Sequence, residues 1–183
     1  QNSSLGGWRG VRLGEAKNPG PGRALRRDSY NPRLLVLNTG GSPGAWRLLS
    51  EDFLDADLVA LQEANFSDRE WNGFALSCKR KGFVGYYQQG PVSKDRWSTN
   101  RFRGGVCWLV RRNVQHLIGD RFSHHGTQGL ALWVSGLCII NVYVPPGHES
   151  VAMEAWNEFW EAHRLRHKQW AVVGEDRKST RLN

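Results

Sequence analysis

The chain lacks most of what marks membrane-spanning, zinc-ribbon and disulfide-stapled proteins. No apolar run approaches the roughly 18 residues that a membrane helix needs, so no membrane partner is expected. Cysteine occurs only at 78, 107 and 138, an odd number at wide spacing with no CxxC pair. That excludes a thiolate zinc ribbon and a disulfide framework. Cys107 and Cys138 lie inside apolar runs and are expected as buried thiols, which points to a reducing intracellular compartment, nuclear or cytoplasmic. The opening, QNSSLGGWRG, has neither a Met nor the apolar core of a signal peptide, so the N-terminus is expected to be open. Acids are in the minority, 17 Asp and Glu against 25 Lys and Arg, and the formal net charge is +8. Such a balance favours a polyanionic partner, nucleic acid first, through phosphate contacts and counterion release.

What is present reads as one globular domain, 183 residues long and 39% hydrophobic, with enough chain for a real core. A monomer is expected, with no small-molecule cofactor. Residues 1–32 are rich in Gly, Pro, Asn and Arg and keep no hydrophobic period, as in a flexible basic arm. The domain is expected over 33–175. Residues 33–38 (RLLVLN) and 57–63 (DLVALQE) read as buried strands, because their apolar residues run without alternation. Between them, Trp46, Leu49 and Phe53 at helical spacing predict a helix over 45–54. A second helix is expected over 67–78, capped by Ser67 or Asp68. A loop rich in Gly, Lys and Arg follows.

Residues 105–111 (GVCWLVR) form the next expected strand. Residues 130–134 and 137–143 flank Ser135-Gly136, a tight hairpin signal. The clearest helix is 151–168, with Ala152, Ala155, Trp156, Phe159, Trp160 and His163 on one face, and 170–174 (WAVVG) reads as a last short strand. Helices interleaved with strands around a hairpin make the class α/β (α+β) with a mixed sheet. Several strands deliver a polar residue at or near their C-terminal end: Asn38, Glu63, Tyr143, and Glu175 after the last. Sites in such folds collect there.

The last eight residues, DRKSTRLN, match codon for codon GAT CGG AAG AGC ACA CGT CTG AAC, an oligonucleotide widely used as a sequencing adapter. Residues 176–183 are therefore expected to be non-native. They carry three of the cations and one acid, so the body stays basic without them.

The ordered pieces LLVLNTGG, DADLVALQE, GGVCWLV, INVYVPP and AVVGE resemble the endonuclease/exonuclease/phosphatase superfamily over roughly residues 33–175. Within it the chain is most similar to the endonuclease domain of non-LTR retrotransposon polyproteins. The resemblance implies a sandwich of two mixed sheets flanked by helices, of which this chain would hold about the first half. It implies a hydrolase that nicks DNA with Mg²⁺ or Mn²⁺. Glu63 would ligate the cation, Asn38 would help hold it and a phosphate oxygen, and Tyr143 would orient the scissile phosphate. Glu175 stands where the family has the Asp of Gly-Asp-x-Asn, and the first base of the adapter accounts for the difference. A misplacement on the order of 1 Å there costs about 10²-fold in rate. With the later motifs missing as well, inactivity is expected, along with an exposed sheet face prone to aggregation. The same superfamily also contains repair endonucleases of the apurinic/apyrimidinic type and phosphatases, and a decayed, non-catalytic nucleic-acid-binding relic is the remaining alternative.

Lys94, Arg96, Arg101 and Arg103, with Lys79, Arg80 and Lys81 nearby in sequence, either track DNA phosphates beside a stacking Trp97 or Phe102, or form a solvated basic loop. His124-His125 has no partner at metal-ligand spacing and is expected at the surface, and His163 and His167, an i, i+4 pair on the expected helix, are expected in packing or solvent rather than on zinc.

Overall fold

Two short apolar runs set the architecture. In the structure, a computed structural model that describes residues 32–50, 55–90, 92–94, 100–102, 104–124, 129–144, 154, 157, 161 and 169–174, they are strands β1 (Leu34–Asn38) and β2 (Leu58–Gln62). They pair in parallel, from Leu34 opposite Leu58 to Asn38 opposite Gln62. The crossover between them contains helix α1 (Ser42–Ser50), which begins three residues before the expected start because Pro43 is tolerated in a first turn. Residues 51–54 of the expected helix lie outside the described residues. β2 is buried along its whole length. Val59 and Leu61 face the helices, while Leu58 and Ala60 face the opposite way.

Helix α2 (Asp68–Arg80) starts at a reciprocal cap. The Ser67 Oγ accepts from the Glu70 N–H at 3.3 Å, and the Glu70 carboxylate accepts from the Ser67 N–H at 2.8 Å and its hydroxyl at 2.7 Å. Strand β3 (Phe83–Gln88) follows, in the segment expected to be a loop. Gly85 in its middle weakens the strand signal, and the packing explains it: a Cβ there would lie 2.7 Å from the ring of Trp71, which stacks on Tyr87. A two-stranded ribbon, β4 (Val92–Lys94) and β5 (Asn100–Phe102), leads to β6 (Val106–Arg111). The first sheet has the order β1-β2-β6-β3.

A 3-10 turn (Arg112–Leu117) then leads into β7 (Ile118–His124), β8 (Gly129–Val134) and β9 (Leu137–Val142). β8 and β9 are the expected hairpin, with Ser135 at φ 50° and Gly136 at φ 90° between them. β10 (Trp170–Val173) pairs in parallel with β9, giving the order β10-β9-β8-β7. Glu154, Asn157 and Glu161 in the crossover are helical and exposed, the polar side of the helix expected there; its apolar side and the His163/His167 pair lie outside the described residues. Each sheet thus has one parallel pair at an edge, reached through a crossover with helical residues, and antiparallel pairing elsewhere.

The expectation of a bare sheet face is overturned. The two sheets pack face to face, and Leu58, Ala60, Val106, Trp108, Val110, Leu130, Leu132 and Ile139 form one buried layer between them. Trp108 is fully buried there and donates its indole N–H across to the Leu130 carbonyl at 2.7 Å. A second layer joins the first sheet to α1 and α2 around Leu49, Leu61, Phe66, Phe74 and Phe83. Ala131, Cys138 and Ile140, on the outer side of the second sheet, are wholly buried, so that face is covered too. Among the described residues, large apolar exposure is limited to Trp46, Leu76, Val144, Trp170 and Val172. The class is α+β, a sandwich of two mixed sheets with helices outside.

Two outcomes follow from this packing. Ser67→Ala should cost about 1 kcal/mol in chemical denaturation, through loss of the cap. The Ser67 hydroxyl, and then its backbone N–H, hold the Glu70 carboxyl below its ordinary range. A depressed carboxyl contributes stability above its unfolded-state value and loses it as pH falls through the folded one. The gap in Tm between wild type and S67A should therefore narrow between about pH 5 and pH 3. The thiols give the second outcome. Cys78, Cys107 and Cys138 are all buried, and burial pushes Cys78 up to about 12 and Cys107 well above its usual value. A disulfide reagent at neutral pH should titrate none of the three until denaturant is added.

Candidate functional site

Strand direction and register bring the expected residues to one rim. β1 ends at Asn38 opposite Gln62, so Glu63 follows at the same level, and the Thr39 N–H donates to the Gln62 carbonyl at 3.0 Å. Across the sandwich, β9 reaches this rim at Asn141, which is hydrogen-bonded to Gln62, and Tyr143 lies two residues on along the same face. The side of Tyr143 packs on the inter-sheet layer. In β10, Val173 is opposite Asn141. Gly174 then lies against Val142 so closely that a Cβ would stand 2.6 Å from its carbonyl oxygen. Asn38, Glu63 and Tyr143 are thus gathered at one rim; Glu175, the fourth expected residue, lies outside the described residues.

Glu63 is only 8% exposed and sits at φ 51°, a left-handed conformation that a residue with a long side chain avoids. The loop behind it is tied down by neighbours distant in sequence. Ala64 donates to the Gly105 carbonyl at 3.2 Å and Asn65, itself at φ 50°, to the Gly104 carbonyl at 2.8 Å. The Phe66 N–H donates to the Tyr87 hydroxyl, which donates back to the Phe66 carbonyl, each at 3.0 Å. Gly105 is required in this arrangement: its φ is 82°, and a Cβ would come 2.7 Å from the Tyr87 oxygen. Thr39 closes the other side, its hydroxyl shared between the Gln62 carbonyl at 3.0 Å and the Glu63 carbonyl at 3.1 Å.

The donor set is oxygen-rich. Asn38 Oδ1 accepts from the Gly40 N–H at 2.9 Å, which fixes the side chain in a local turn and leaves its amide N–H₂ to donate. Gln62 Oε1 and Asn65 Oδ1, flanking Glu63 in sequence, are buried with no hydrogen-bond partner among the described residues. Each such acceptor costs about 1–3 kcal/mol when left dry. A carboxylate suits a hard cation such as Mg²⁺, which keeps several waters and needs few protein ligands. No group of three or more His, Cys, Asp or Glu converges among the described residues, so nothing there resembles a zinc cage.

The basic residues divide. The β4–β5 ribbon joins β3 at Gln88 and β6 near Val106, both level with Gln62, so it springs from the same rim. Lys94 lies on β4 opposite Asn100, and Arg101 on β5 opposite Ser93; Arg96, Arg103 and Trp97 lie outside the described residues. Lys79, Arg80 and Lys81 stand at the other end of β3, where Phe83 faces Arg111, about 20 Å away by strand rise. They do not share the rim. His124 ends β7 at the rim level, opposite Gly129, while His125 lies outside the described residues.

Sequence reasoning did not single out Thr39 or Asn65, nor Gln62 and Asn141 apart from their places in the Leu-Gln-Glu and Asn-Val-Tyr runs. A polar residue in the apolar run Leu137–Val142 is the one signal that marked Asn141. Neither a protein-family model nor a curated protein matches the chain.

Glu63 is held where its backbone is strained, so relief of the strain should be measurable. Glu63→Asn, which tolerates the left-handed region, should keep or raise stability by roughly 0.5–1 kcal/mol in urea unfolding while abolishing Mn²⁺ binding. A loss of stability comparable to a core truncation would show that the carboxylate is structural instead.

Proposed function

We propose that this rim is a phosphodiesterase site in which Glu63 holds a divalent cation, Mg²⁺ or Mn²⁺, and that the substrate is DNA, nicked by an endonuclease of the retrotransposon type. The observation that carries the reading is a single buried carboxylate, kept in a left-handed conformation at the rim where Asn38 and Tyr143 also emerge. A carboxylate at a rim position whose backbone is fixed by distant neighbours is the ligand type that a hard cation takes. When bound, the cation supplies Lewis-acid polarisation of a phosphoryl oxygen. The chain's own groups bind and orient. Asn38, with its oxygen turned to Gly40, gives its amide N–H₂ to a phosphate oxygen. Tyr143, its ring set against the inter-sheet core, holds its hydroxyl toward the same phosphate.

The ribbon favours DNA over a small phosphate ester. Lys94 and Arg101 are carried on a projection from the same rim, and the chain as a whole is basic.

The test is a Mn²⁺ titration read by water-proton relaxation, beside duplex-DNA binding at several salt concentrations. Glu63→Gln should weaken Mn²⁺ binding at least about 100-fold, since a hard cation loses a charged ligand. Lys94→Ala and Arg101→Ala should each weaken DNA binding and reduce the salt slope by about one. Unchanged Mn²⁺ affinity in E63Q would sink the metal site. Displacement of DNA by equimolar inositol phosphate would move the substrate to small phosphate esters.

A further inference from the structure

Glu63 cannot hold its conformation alone, and the groups that hold it form one connected set. The Thr39 hydroxyl bridges the carbonyls of Gln62 and Glu63, at 3.0 and 3.1 Å. One residue back, the Gln62 amide donates to Asn141 Oδ1 at 2.6 Å, in a site where both residues are wholly buried. Asn141 Nδ2 in turn donates to the Leu61 carbonyl at 3.1 Å and the Cys107 carbonyl at 2.9 Å. One side chain of the second sheet thereby grips both central strands of the first, β2 and β6. On its own strand, Asn141 is two residues from Tyr143 and on the same face.

We infer that Thr39, Gln62 and Asn141 are positioning residues that hold the Glu63 backbone in its left-handed state and fix its separation from Tyr143 across the sandwich. The inference rests on Glu63 being the cation ligand. Stability alone does not account for the set. The surrounding inter-sheet positions are apolar, with Leu58, Ala60, Leu132 and Ile139 among them. An apolar pair of similar shape at 62 and 141 would fill the space without leaving Gln62 Oε1 dry. Hydrophobic contacts, however, let facing sheets slide. A bonded amide pair has direction and length, and it sits immediately below the two side chains whose separation matters. Groups behind a metal ligand commonly change metal affinity 10–100-fold when removed.

Gln62→Met and Thr39→Val each remove the hydrogen bonds while conserving shape. Both variants should keep the wild-type circular dichroism and bind Mn²⁺ about tenfold more weakly in the relaxation titration. Ile139→Val, in the same buried layer, should lower Tm without changing Mn²⁺ affinity. Wild-type affinity in both positioning variants, with binding lost in Glu63→Gln, overturns the inference and leaves the metal site standing. An equal loss of affinity in Ile139→Val also overturns it, because general loosening then explains the effect. Wild-type affinity in Glu63→Gln overturns the functional reading itself. Should Gln62→Met fail to fold, Thr39→Val, nearer the surface and outside the amide pair, decides the matter on its own.

Discussion

The hydrogen bond between Gln62 and Asn141 joins residues 79 apart in sequence and is the point at which the two sheets are indexed to each other. On either side of it the inter-sheet layer is hydrocarbon, which drives association but specifies position weakly. A further polar link across the sandwich, from the Trp108 indole to the Leu130 carbonyl, lies deeper in the layer. Between them the two links define how β2 and β6 lie over β8 and β9. The rim inherits its geometry from that indexing: Glu63 is one residue beyond Gln62, and Tyr143 two beyond Asn141.

The rim also shows how local strain is supported by distant structure. Three consecutive residues after β2 are bonded to groups arriving from elsewhere in the chain: Glu63 to Thr39, Ala64 to Gly105 and Asn65 to Gly104. The aromatic cluster of Phe66, Trp71, Phe74 and Tyr87 then anchors the start of α2. A loop that is strained and yet tied down at each of these residues is stiff, which is the property a site needs when it must hold charge at a fixed place.

Much of the fold was legible in the sequence, for a physical reason. β2, β6, β8 and β9 are largely buried and so read as unbroken apolar runs. β3 was hidden by Gly85, whose bareness serves Trp71, and by its place at an edge of the sheet. β7 was hidden because it is polar, lies at an edge of the second sheet and carries a register shift between Ile118 and Arg121. For the site, strand ends were readable as positions but not as neighbours. Asn38, Glu63 and Tyr143 could be named from polar residues that close apolar runs. Thr39 and Asn141 could not, because their roles depend on which strand lies opposite which, and alternation along one strand carries no such information.

The division of the core into two layers orders events during synthesis. The layer between the first sheet and its helices is made from residues 45–109, and all of it leaves the ribosome before β8 and β9 do. The other face of that sheet, with Trp108 at its centre, waits for residues 130–139 to cover it. A nascent chain can therefore complete a helix-backed sheet early, then hold an oily surface open to water or to chaperones until the hairpin emerges. Only when Asn141 arrives can Gln62 find its mate, so the rim is made rigid after the helix-backed layer.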